Sequence, residues 1–75
     1  MLLHEAIQDV LETHGAPMTY KEIAEEVAAR DLYVRGDGEP PAPRQIAARV
    51  NNHKKRFVKL EDVKPTTVGL RTWKL

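Results

Sequence analysis

Between Arg44 and Leu60 the chain carries Arg44, Arg49, Lys54, Lys55, Arg56 and Lys59 and no acidic side chain. Gln45, Asn51 and Asn52 stand among them. Arginine and lysine neutralise phosphates, an arginine fork bonds guanine, and an asparagine or glutamine amide bonds adenine. This is the chemistry of a surface that docks on double-stranded DNA. On a helical wheel at about 100° per residue, Ile46, Val50, His53 and Phe57 form one narrow apolar stripe. Arg44, Asn51 and Lys55 point directly away from it, and Gln45, Arg49, Asn52 and Arg56 occupy one flank. A merely solvated basic face is the plain alternative. Two consecutive asparagines argue against it, because they are mediocre helix formers that a solvated helix has no need to keep.

Other chemistries have less to build on. The chain has neither serine nor cysteine, which removes the two commonest nucleophiles and any disulfide. Glu22, Glu25 and Glu26 form an acidic patch, but no phosphate loop or metal constellation accompanies them, so neither catalysis nor a cofactor nor a small-molecule substrate is expected. His14 and His53 fall on apolar stripes and are expected to pack there, with His4 at the surface. Arg35-Gly36-Asp37 spells the integrin tripeptide, which chance explains better, and Lys54-Lys55-Arg56 resembles a nuclear import signal but is embedded in a helix that also carries core residues. No apolar run is long enough to span a membrane and no basic-then-apolar leader opens the chain, so a cytoplasmic protein is expected.

The net charge of +1 conceals a division. Residues 1–39 hold three basic side chains against nine acidic ones, and residues 40–75 hold nine basic against two acidic. One face is thus suited to a polyanion and another turned from it.

At 75 residues there is room for one domain with one modest core. Leu3, Ala6, Ile7, Val10 and Leu11 predict a first helix from Leu3 to His14, stopped by Gly15. Ala16-Pro17-Met18 is a turn or brief extended segment. Thr19 and Glu22 have capping-box spacing, with Met18 and Ile23 as the flanking staple, so a second helix should run from there to about Arg30. Arg35 to Pro41 reads as an exposed loop. Pro43 suits the first position of a third helix, expected to reach about Arg56. Phe57–Leu60 and Val68–Trp73 alternate as two strands of a closing hairpin, joined by a loop from Glu61 to Thr67. Tyr33 and Trp73 are expected to close the core. The fold class is mainly α with a small β-hairpin: a winged helix-turn-helix with three helices and a C-terminal wing. Lys21, at the start of the second helix, and Lys64, in the hairpin, join the helix-3 residues as DNA-binding candidates.

The ordered set Ala6-Ile7, Val10-Leu11, Gly15 through Ile23, Arg30-Asp31-Leu32, Ala47 through Val50, Arg56-Phe57-Val58 and Gly69-Leu70-Arg71 resembles the HARE-HTH family of winged-helix domains. That family occurs in restriction endonucleases, other DNA-modifying enzymes, Asx-like chromatin proteins and the delta subunit of bacterial RNA polymerase. The resemblance implies a DNA-binding or transcription-adaptor role, with residues 1–75 as the N-terminal module of a larger protein. A covalently linked catalytic domain or RNA polymerase is then an expected partner. Ala42 departs from the family, where a threonine often caps the third helix; alanine supplies no side-chain cap. The alternative is an adaptor whose acidic helices 1 and 2 bind a basic RNA polymerase or chromatin partner without direct DNA contact.

Overall fold

The computed structural model describes residues 2–33, 38, 41–61 and 65–73. Helix α1 spans Leu3–His14 and turns Leu3, Ala6, Ile7, Val10 and Leu11 into the core. It begins where the Leu2 N–H donates to the Glu5 carboxylate at 3.0 Å. It ends at Gly15, whose φ of 78° closes the helix through its N–H to the Leu11 carbonyl. Glycine enters this left-handed region without the Cβ penalty other residues meet.

A two-residue strand, β1 (Met18–Thr19), leads directly into α2 (Tyr20–Ala29). The capping box forms as its spacing predicts. The Glu22 N–H donates to the Thr19 hydroxyl at 3.1 Å, and the Thr19 N–H donates to the Glu22 carboxylate at 2.9 Å. Helix α3 (Pro43–Asn52) follows, burying Ile46 and Val50. Strands β2 (Phe57–Leu60) and β3 (Thr67–Leu70) then complete an antiparallel sheet in the order β1-β3-β2. The register pairs Met18 with Val68 and Phe57 with Leu70. The central strand β3 is accordingly the most buried, with Val68, Gly69 and Leu70 all inside.

One core unites these elements. Ile7, Leu11, Ile23, Val27, Ile46 and Val68 are completely buried, and Phe57 retains 2% of its exposure. Tyr33 and Trp73 pack partly buried against it, closing the core as expected. Among the described residues no helix is long and apolar enough to cross a membrane. Three helices and a small antiparallel sheet make an α+β winged helix, as the sequence implies.

Several expectations are corrected. The third helix stops at Asn52 and residues 53–56 form a turn, in which the His53 carbonyl accepts from the N–H groups of Arg56 and Phe57. Phe57 reaches the core from β2, opposite Leu70, so its place on the helical stripe is a coincidence of spacing. The second strand of the hairpin ends at Leu70, and Arg71–Trp73 make a single 3-10 turn. The extended segment at Met18–Thr19 becomes a third strand, which its sequence alone does not specify. His14 is exposed in the last turn of α1 instead of packed, where it faces the negative end of the helix dipole. His53 is only half-buried, and His4, expected at the surface, is half-buried against it. Of the loop expected from Arg35 to Pro41, Gly38 is exposed and Pro41 buried; residues 35–37 and 39–40 lie outside the described set.

Candidate nucleic-acid interface

Helix α3 owes its position to Ile46 and Val50, which anchor it in the core and leave the remaining faces outward. Arg44, Arg49, Asn51 and Asn52 are all exposed. No ion pair engages Arg44, Arg49, Lys54 or Lys55 among the described residues. Their charge is therefore not neutralised by a neighbouring carboxylate there.

The start of the helix is closed in an unusual way. Ala42 offers no side-chain acceptor, but the Gln45 amide oxygen reaches back to accept from the Ala42 N–H at 2.9 Å. Half of a capping box thus forms with a neutral group. Gln45 is half-buried and already engaged, unlike its exposed neighbours.

Because the helix ends early, Lys55 and Arg56 project from the turn and not from the wheel positions assigned to them. With Asn51, Asn52, His53 and Lys54 they line a groove of about 590 Å³. Arg56 leans towards α1, donating to the Gln8 side-chain oxygen at 2.6 Å. The turn is clamped from the end of the neighbouring strand β3. The Arg71 guanidinium donates to the Lys54 carbonyl at 2.8 Å and to the Phe57 carbonyl at 3.3 Å, while its backbone N–H donates to the Arg56 carbonyl.

His53 completes this end. Its ring stacks on that of His4 from α1, with centroids 4.0 Å apart and planes 24° from parallel. Loss of hydration, reinforced by His4, Arg56 and Arg49, holds the His53 imidazole below its ordinary pKa.

Lys21 occupies a different place. It is exposed in the first turn of α2, lining with Thr19, Tyr20, Pro43, Pro65 and Thr66 a groove of about 440 Å³. That groove adjoins the N-terminal end of α3, whereas Lys55 and Arg56 mark the other end, roughly 15 Å away for a helix of this length. The Tyr20 phenol nearby is pushed above its ordinary range by burial and by the Glu61 carboxylate. Lys64 lies outside the described residues.

Arg71, Gln8 and His4 are the participants that the sequence pattern does not single out. Each acts through contacts between elements far apart in the chain, and no local spacing announces such pairings. Among the described residues no group of three or more His, Cys, Asp or Glu side chains is placed to hold a metal ion.

A winged helix-turn-helix with an exposed basic third helix agrees with the family model that matches residues 1–73, the HARE-HTH model, whose description includes the ASXL and restriction endonuclease HTH domains. The chain belongs to the HARE-HTH family. That family consists of DNA-binding helix-turn-helix domains and is not itself catalytic. Among curated proteins and among solved structures, nothing matches this HARE-HTH chain.

Proposed function

We propose that this HARE-HTH domain binds duplex DNA with α3 in the major groove and the β2–β3 hairpin on the backbone. The observation that carries the reading is the outward face of α3: Arg44, Arg49, Asn51 and Asn52 exposed together, with no acid between Arg44 and Leu60. A ten-residue helix is about 15 Å long and the major groove about 12 Å wide. Lys21 beside one end and Lys55 and Arg56 beyond the other then suit phosphates on the two flanking strands. Arg49, Asn51 and Asn52 lie between them, where base edges would be. Lys64 in the hairpin would add a further phosphate contact. The domain would serve as the N-terminal module of a larger cytoplasmic protein, bringing a linked restriction or DNA-modifying domain, or transcription machinery, to DNA.

Titration of a duplex at several salt concentrations tests this. About four to six phosphate contacts give a log–log slope near −4 to −5, with non-specific affinity on the order of 10⁻⁴–10⁻⁶ M at physiological salt. Arg49→Lys keeps the charge but removes the fork, so it should weaken a preferred site while sparing non-specific binding. A flat salt response, or NMR shifts confined to α1 and α2, would turn the reading towards a protein adaptor.

A further inference from the structure

The His4–His53 stack lies where a polyanion on α3 would end. His53 belongs both to the ring pair and to the lining of the groove formed by Asn51, Asn52, Lys54, Lys55 and Arg56. We propose that this pair is a proton-binding site coupled to DNA: a backbone phosphate seated in the groove draws a proton onto the stacked imidazoles, so DNA is held more tightly as pH falls below neutrality. The inference rests on the DNA-binding reading above and deepens it.

The surroundings supply the reason. From α1, His53 faces His4, with Glu5 next in sequence. The Glu5 carboxylate is engaged at the helix start by the Leu2 N–H. Asp9, a turn further on, pairs with Arg30 at 3.5 Å. Gln8 is neutral and holds Arg56. From α3 comes Arg49, from the turn Lys54 and Arg56, and from the end of the sheet Arg71, bonded to the Lys54 carbonyl. Basic groups thus dominate the environment, and a proton placed there meets like charges at close range.

That environment holds His53 below its ordinary pKa in the free protein. A phosphate in the groove reverses the local balance, because an anion within a few ångströms favours the charged imidazole. If the bound form holds a proton that the free form lacks, affinity must rise with acidity, by up to about tenfold per pH unit for one proton taken up. The climb spans the interval between the raised pKa of the bound form and the lowered pKa of the free form, and saturates once the free protein is itself protonated.

Fluorescence anisotropy with a short duplex of mixed sequence, at constant salt across about pH 5.5–8, tests the coupling. Affinity should climb on the acid side of neutrality. His53→Gln should flatten the climb, and His4→Gln should both alter it and move the His53 titration, followed by NMR of its Cε1 proton, to higher pH. His14→Gln serves as the control: its ring is exposed at the opposite end of α1, and the climb should persist. DNA binding with no pH dependence, or a climb undiminished in both His53→Gln and His4→Gln, overturns the coupling and leaves the DNA reading standing. Absence of duplex binding at every pH overturns both.

Discussion

Helices α2 and α3 are each ten residues long and each turns an aliphatic stripe into the same core, yet they present opposite chemistry outward. Helix α2 shows Glu22, Glu25 and Glu26 to solvent; α3 shows Arg44, Arg49, Asn51 and Asn52. Their N-termini differ in the same sense. That of α2 is closed by a threonine hydroxyl and a carboxylate, which complement the positive end of the dipole. That of α3 has no acid in its first turn and is closed by a neutral amide. The inward faces show what the fold requires of both helices. The outward faces and caps show what is left for function, and α3 forgoes a stabilising negative charge where a DNA phosphate would meet it.

The largest effects should fall where the helices are alike. Ile23 and Ile46 are both completely buried, so either Ile→Ala change should cost about 2–5 kcal/mol, through lost burial and the cavity left behind. Denaturant midpoints measure this. A much smaller loss for Ile46→Ala would mean that α3 is held less firmly than α2 and that the inward equivalence fails.

The caps should separate the helices at the next scale down. Thr19→Ala removes a formed hydrogen bond and should cost about 1 kcal/mol. Ala42→Ser should act oppositely, adding about 0.5–1 kcal/mol, because Ala42 already has extended backbone (φ −87°, ψ 155°) and Gln45 already completes the other half of the box. Acid sharpens the contrast. The Thr19 N–H and hydroxyl hold the Glu22 carboxyl below its ordinary 4.5. Its contribution is therefore complete above that value and lost as pH falls through the folded-state pKa, so Glu22→Gln should shallow the acid limb of the stability curve. An identical acid limb in the variant would show that the box contributes nothing through charge.

Legibility in the sequence follows the range of the interactions. The start of α2, the glycine stop of α1, Pro43 at the head of α3 and the five core positions of α1 are local signals and appear as expected. The end of α3 does not, because Phe57 sits at helical spacing from Val50 while its burial is decided by pairing with Leu70 across the sheet. The same limit applies to the interface. Residue types mark Arg44, Arg49, Asn51 and Asn52 as exposed and basic or amide-bearing, but the Arg71 clamp, the Arg56–Gln8 contact and the His4–His53 stack join segments between 14 and 49 positions apart in sequence. A strand as short as Met18–Thr19 carries no period to detect; only β3 alongside defines it.

The smallest change discriminates most finely between the two helices. Gln45→Glu would give α3 the acidic N-terminal turn that α2 already has. The glutamate keeps an oxygen to accept from the Ala42 N–H, and its charge faces the positive end of the helix, so stability should rise by about 0.3–1 kcal/mol. DNA affinity should move the other way, because a carboxylate would now stand beside Arg44 on the helix proposed to meet phosphates and bases. A variant more stable yet weaker in binding can have lost affinity only through the interface, which no destabilising substitution on α3 can establish. Thermal melts and duplex titrations on the same sample provide both values. If stability rises and affinity is unchanged, the N-terminal end of α3 stands clear of the DNA, and contact must be concentrated at the other end, around Asn51 to Arg56.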